Sequence, residues 1–560
     1  VKLNQFLAEL KRRRVYSVAV TYAVVAWLLI QVVTQVFPPF EIPNWAQRVV
    51  IIAIVLGFPV AMVFAWIYDI TRHGIVRTKG ARPEITQNAT SASKPGERSI
   101  AVLPFIDLSP EKDHAYFSDG VAEEILTALA KVDGLRVAAR RSSFWFKGKD
   151  AELSEIAQRL NVHHVVEGSV RRDGNRVRVA AELIDAREGF TVWSETYERE
   201  MHGIFALQDE ITHAIVDALK LRLAISTSPR SRSPDAYDLY LQGLFLSDKS
   251  TEETLRKSLE FFRRALDKDP RFARAWTGIA KSWLWLADAY VKPVEAYSNV
   301  RHAALNAINI DDSEAEAHVY LAETKRILDW DLPGAEVEYT RAFEIDSNST
   351  TSNYFIAAFY AAIADREKAL TYLRRTAKID PASLWVSNFA CEIYRYFGLI
   401  DEAMVAGERA LQLDPTFLYG EPLLAALYRE MGRFDDAIAL YKKSQVLSGR
   451  VPFGLAITYA KMNRRKEARE ILTAACATRG SYTPGDAIAH VHVVLEDHEE
   501  AMRELARAYD EHSSSLHFIG IAPEFGPLRE DKRFISIAKK IGLEPEKVFA
   551  PVSNGLGSTG

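Results

Sequence analysis

Cysteine is almost missing from this chain: two residues, Cys391 and Cys476, in a length of 560. They lie far apart with no His or Cys beside either one, which excludes a disulfide framework, a structural zinc site and a CxxC redox pair. Both read as small core residues. A surplus of one charge is missing too, since 70 Lys plus Arg stand against 74 Asp plus Glu for a net charge of -4. Such balance suits neither a nucleic-acid coat nor an acidic tail. The chain lacks GxxxxGK[ST], HExxH, GxSxG and HRD, and with them a phosphate cradle, a zinc pair, a nucleophile elbow and a kinase loop. His163 and His164 open a strand pattern, and His490, His492 and His498 fall on helical patterns, where an i, i+2 pair points to different faces and cannot share a metal. Asp119, Glu123 and Glu124 sit where a helix begins, as capping and the helix dipole favour. No catalytic, cofactor-binding or metal site is therefore expected, and neither a small-molecule substrate nor a nucleic-acid partner.

What the chain does have is apolar matter, 48% of it hydrophobic, enough for several cores and three or four units. Two stretches, Val15 to Phe40 and Val49 to Tyr68, carry no charge, and each is long enough to cross about 30 Å of hydrocarbon as a helix. Pro38, Pro39 and Pro43 turn the chain between them. The predicted anchor covers 15–70, behind a basic arm 1–14. Lys11, Arg12, Arg13 and Arg14 precede it and Arg72, Arg77, Lys79 and Arg82 follow it, so the expectation is an inner-membrane protein with both termini cytoplasmic, touching lipid through 15–70. A cleaved signal peptide, or a bulk of chain in the periplasm, is the competing arrangement.

Residues 71–98, rich in Ser, Thr, Pro, Gly and charge, read as a flexible linker. From 99 to 224 the pattern is that of a small mixed α/β domain: strands at Ser99–Leu108 and Leu135–Arg140, a helix over Ser118–Val132, a second helix at ELSEIAQRL, three strands from His163 to Glu200 with a tight turn at Asp173-Gly174-Asn175, and a closing helix. The segments IAVLPF, YFSDGVAEEI, RVAARRSSFWFKGK, VVEGSVRRDGNRVRVAAELIDA, VWSETYERE and IFALQDEI together resemble the TolB amino-terminal-like domain of bacterial membrane-anchored signalling and scaffold proteins. That resemblance implies a role in assembly or signalling and no activity. Arg171, Arg172, Arg176 and Arg178 flank the tight turn and form a possible anion stripe on a solvent face.

Beyond a linker at 225–234, a small residue returns with a period near 34 at Ala335, Ala369, Ala403 and Ala437, with Ser258, Val300, Ala468 and Ala501 as imperfect members. This is the period of tetratricopeptide (TPR) repeats, about eight of them over 235–512, followed by a helical cap at 513–545 and a disordered tail at 546–560. KIDP, QLDP and DKDP end second helices, where proline stops them. The fold class expected is thus multidomain: two transmembrane helices, a mixed α/β domain and an all-α TPR superhelix. Stacked hairpins leave a groove, and the first-helix positions expected to line it for protein or peptide partners are Arg274, Lys281, Trp285, Tyr354, Trp385, Asn388, Glu392, Arg395, Tyr419 and Arg429. The function expected is a non-enzymatic membrane-anchored scaffold or signalling adaptor; the alternative is a regulatory or sensor partner of a nucleotide cyclase.

Overall fold

The computed structural model describes a strand pair within 68–77 and then residues 98–549, except 110–114, 131, 133–134, 150, 187–188, 220–232, 288, 382, 415–419 and 478–481. The basic arm, most of the anchor, most of the first linker, the second linker up to 232 and the end of the tail lie outside the described residues. The expectation of two membrane-spanning helices, with its inner-membrane location and lipid contact, is corrected. Among the described residues no helix is long and apolar enough to cross a membrane. Where the second span was expected to end, Tyr68–Thr71 is a strand (β1) paired antiparallel with Gly74–Arg77 (β2).

The remaining elements form one compact unit from Gly96 onward. It opens with β3 (Arg98–Val102), β4 (Ile106–Asp107), α1 (Ala115–Leu129), β5 (Leu135–Val137), α2 (Arg140–Phe144) and α3 (Leu153–Leu160). Three long strands follow, β6 (His164–Asp173), β7 (Arg176–Asp185) and β8 (Phe190–Glu200), and then α4 (Ile204–Ala218). The sheet order is β5-β3-β6-β7-β8, with β4 also beside β6. Pairs β3/β5 and β3/β6 are parallel, whereas β6/β7 and β7/β8 are antiparallel. Alternation decides the faces: Val166 and Val170 on β6, with Val177, Val179, Ala181 and Leu183 on β7, join the core built with α1 and α4.

Eight helical hairpins follow among the described residues. Their first helices are α5 (Pro234–Ser247), α7 (Ala273–Leu286), α9 (Ala315–Leu328), α11 (Thr350–Ala362), α13 (Leu384–Tyr396), α15 (Gly420–Glu430), α17 (Phe453–Lys461) and α19 (Gly485–Val494). Their second helices are α6 (Glu252–Lys268), α8 (Pro293–Ile310), α10 (Leu332–Ile345), α12 (Arg366–Ile379), α14 (Ile400–Leu413), α16 (Phe434–Ser448), α18 (Arg465–Ala477) and α20 (His498–Asp510). Ala335, Ala369, Ala403, Ala437, Ala468 and Ala501 are all completely buried where neighbouring helices meet, since a larger side chain would hold the backbones apart. The turn inside the hairpin also recurs. Trp330, Ala364, Gly398, Gly432, Asn463 and Glu496 each take a left-handed backbone with φ between 54° and 74°, although only two of them are glycine.

After α20 the chain forms short turns of helix at Leu516–Gly520 and Pro523–Leu528, then α21 (Lys532–Lys540) and α22 (Pro545–Val548). Val548 is buried, so the packed region extends past 546, where the tail was expected to start.

Candidate functional site

The inner face made by the first helices is where a groove was expected, and the chain itself occupies much of it. The C-terminal segment crosses it. Arg326 on α9 donates to the Ser514 carbonyl at 3.3 Å, Phe518 stacks on Tyr396 of α13 with centroids 5.5 Å apart, and Phe525 stacks on His490 of α19 at 4.3 Å. Glu524 accepts from Arg395 of α13 at 3.0 Å and from Arg429 of α15 at 3.1 Å. Burial opposes ionisation of Glu524, but Arg395, His490 and Arg429 outweigh it and hold its carboxyl far below the usual range.

From the other side the sheet domain packs against the same face. Arg140 at the start of α2 meets Glu123 at 2.8 Å and also Asp248, which Lys281 contacts at 2.9 Å. Burial works against the charge on Asp248, yet Arg140 and Lys281 keep it strongly favoured. Arg274 pairs with Glu124 and Ser142 donates to Asp380. Trp145 Nε1 donates to the Leu413 carbonyl at 3.0 Å, and Arg172 meets Asp238 at 2.6 Å. Burial pushes the Glu123 carboxyl up to about 7 despite Arg140, and the Asp380 carboxyl up to about 6 despite its hydrogen bond from Ser142. Most of the groups that join the two parts are partly buried ion pairs.

Between the two bodies a cleft of about 920 Å³ stays open. Five expected groove residues line it: Arg274, Lys281, Trp285, Tyr354 and Trp385. Its wall is an aromatic ladder, with centroids 4.7 Å apart for Trp285 and Trp385, 5.9 Å for Trp385 and Phe389, and 4.1 Å for Phe389 and Tyr354. Arg141 holds its guanidinium carbon 5.8 Å from the Trp385 ring centre and has no ion pair among the described residues. The N-terminus of α11, capped by Ser349, closes one side, and Glu316 accepts there from Thr351 at 2.8 Å.

The other expected groove residues lie elsewhere. Asn388, Arg395 and Arg429 are buried, 4–6% exposed, and the two arginines serve the C-terminal segment and not an open groove. Glu392 accepts from Tyr396 at 3.2 Å beside that segment, and burial raises its carboxyl above the ordinary value. Tyr419 lies outside the described residues. The arginine stripe divides: Arg171, Arg176 and Arg178 are exposed, whereas Arg172 turns to the opposite face, onto Asp238 and the Phe117 ring. Residues missed from the sequence are Arg140, Arg141, Asp248 and Asp380. The one local signal was the basic and aromatic run RRSSFWFKGK. Among the described residues no group of three His, Cys, Asp or Glu could hold a metal.

Residues 423–448 match the tetratricopeptide repeat family, on the α15/α16 hairpin. The chain carries TPR repeats. Residues 96–214 match the family described as HilA/YgeH-like transcriptional regulator, second domain. A curated relative, putative adenylate cyclase 3 of Rhizobium meliloti (strain 1021), is 37% identical over 238 residues, 41% of this chain and 40% of the relative, so the chain spans well under half of that protein's length. Similar solved structures include human IFIT1 with m7Gppp-AAAA (16% identity, 56% of this chain and 81% of that one, TM-score 0.38) and YrrB, a TPR protein with an unusual peptide-binding site (16%, 36% and 96%, TM-score 0.25). Pseudomonas aeruginosa PilF is a third (18%, 40% and 99%, TM-score 0.28).

Proposed function

We propose that this chain is a non-enzymatic scaffold that captures a segment of a partner protein in the cleft between the sheet domain and the TPR repeats. The observation that carries the reading is the ladder of Trp285, Trp385, Phe389 and Tyr354 with Arg141 above it, attracted by Asp248 and Asp380 but in no ion pair among the described residues. Rigid aromatic and Arg groups in a desolvated recess dominate protein recognition, and their side-chain entropy cost is low. The lining carries eight carboxylates against five cations, most of them paired, which disfavours a nucleic acid. An adaptor role in signalling accords with the TolB-like resemblance of 99–224.

Selection of displayed peptides on the full chain tests this. Binders should lose about tenfold or more in affinity to Trp285→Ala and Trp385→Ala variants, each anchor being worth about 1–2 kcal/mol. Binders indifferent to both changes would remove the cleft from consideration.

A second reading, a regulatory partner of a nucleotide cyclase, is favoured by the similarity to the putative adenylate cyclase of Rhizobium meliloti. Purified chain supplied with ATP and a divalent cation should produce no cyclic nucleotide. Metal-dependent turnover sensitive to point changes would refute the non-enzymatic role.

A further inference from the structure

The sheet is covered unequally. One face lies under α1 and α4, but on the other, among the described residues, only the β5/β3 side is packed, by α3 with Phe146 and Leu160. On the open part the register aligns a central row, Ile106 on β4, Ser169 on β6, Ala180 on β7 and Thr196 on β8. Two residues along the strands in one direction, Glu167 faces Glu182. Two residues in the other direction, Arg171 faces Arg178, with Leu108 on one side and Glu198 of β8, opposite Arg178, on the other. Ile106 and Leu108 are 65% and 56% exposed. Like charges set directly opposite across strands are destabilising, and among the described residues none of these four charged side chains has an ion-pair partner. Burial and then Glu182 push the Glu167 carboxyl above its ordinary value.

We propose that this open half-face is a homodimer interface, on which a second copy docks about a two-fold axis running along the Ile106, Ser169, Ala180, Thr196 row. A two-fold axis in the interface plane and perpendicular to the strands reverses strand direction. It therefore sets Glu167 and Glu182 of one copy against Arg171 and Arg178 of the other, and the reverse at the far end, as an isologous interface requires. Both like-charge clashes are relieved at once, and Ile106 meets its own copy on the axis. Ser169 and Ala180 are small enough for two sheets to approach to about 10 Å. Five residues along each of β6, β7 and β8, with the two-residue β4 beside them, give a patch of about 19 by 17 Å, below the size of standard specific interfaces, so the dimer should be weak and salt-sensitive.

Sedimentation of the full chain provides the test. The expected result is a concentration-dependent dimer that weakens as salt rises. An acidic-face variant (R171E with R178E) and a basic-face variant (E167R with E182R) should each be monomeric, and mixing the two should restore a dimer, because every facing row is then complementary. Ile106→Asp, at a site exposed enough to leave the fold unaffected, should weaken self-association by about tenfold or more. A wild-type chain that stays monomeric at about 100 µM overturns the proposal. So does a dimer that Ile106→Asp leaves intact, or two folded charge variants that do not associate when mixed.

Discussion

Arg395 and Glu524 are 129 positions apart in sequence, yet Arg395 Nη1 lies 3.0 Å from Glu524 Oε1 with both side chains almost fully buried. The contact fastens the C-terminal segment inside the repeat array. Arg429 joins the same carboxylate and donates its other nitrogen to the Tyr441 hydroxyl at 2.9 Å, so a single carboxylate neutralises cations from two successive repeats.

Glu524→Gln should therefore release Leu516–Leu528, because it leaves two guanidinium groups buried with only Glu430 as a carboxylate partner. Breaking a buried pair this way costs about 3–5 kcal/mol. Hydrogen exchange over 516–528 should rise well before global unfolding. Because the folded-state pKa of Glu524 is depressed, its contribution is present above the unfolded value of 4.5 and is lost as pH falls through the folded value. Unchanged exchange in the variant would show that Phe518 and Phe525 suffice to hold the segment.

Asp380 should act in the opposite direction with pH. Burial raises its carboxyl from 3.8 to about 6, so the folded state keeps the proton over a range in which the unfolded state has lost it. Stability then falls as pH rises from about 4 to about 6, by at most about 3 kcal/mol. Asp380→Asn should remove that component and raise stability at pH 7, still receiving the Ser142 hydroxyl. Urea unfolding of both proteins at pH 4.5 and 7 measures it; an identical pH response in the two would refute the assignment to Asp380.

Much of the repeat array is legible in the sequence because its constraints are local. A hairpin that must bury an apolar face and pack closely needs a small residue once per repeat, and Ala335, Ala369, Ala403 and Ala437 display that need openly. The strands around Asp173-Gly174-Asn175 are equally local. The cleft is half legible: Trp285 and Trp385 stand out as aromatics on first helices, but nothing along the chain announces that Arg141 will lie over Trp385. Arg395 and Arg429 read as groove-lining from the sequence for the same reason. Their helix faces are as expected, and what covers them is a segment about a hundred positions away.

The left-handed turn that recurs inside the hairpins makes a symmetrical prediction. Ala364 has φ of 60° and Gly398, one repeat later, 69°. A Cβ costs about 1 kcal/mol in this conformation, so Ala364→Gly should stabilise by up to that amount and Gly398→Val should destabilise by more. Nothing lies within 4 Å of the position a Cβ would take at Gly398, so the cost there is conformational and not steric. Thermal melts of the two variants should move in opposite directions; a loss of stability in Ala364→Gly would mean that the alanine methyl contributes packing that outweighs the strain.

Asp248 decides whether the sheet domain and the repeats move as one body. Lying just after α5, it is the shared anion between Arg140 of the sheet domain and Lys281 of the repeats. Removing it strips both cations of that partner; Arg140 keeps Glu123, while Lys281 keeps no ion pair among the described residues. Asp248→Ala should thus loosen the junction far more than the repeats, whose cores hold no part of this cluster. The ties that remain, Arg274 to Glu124, Arg172 to Asp238, Ser142 to Asp380 and Trp145 to the Leu413 carbonyl, limit that loosening, against a loss of about 3 kcal/mol or more. In solution scattering the variant should show a larger radius of gyration, and protease should cut between 220 and 232 faster, with helical circular dichroism unchanged. A variant as compact and resistant as the parent would mean that apolar packing of α1 against α5, and not the ion pairs, holds the two parts together.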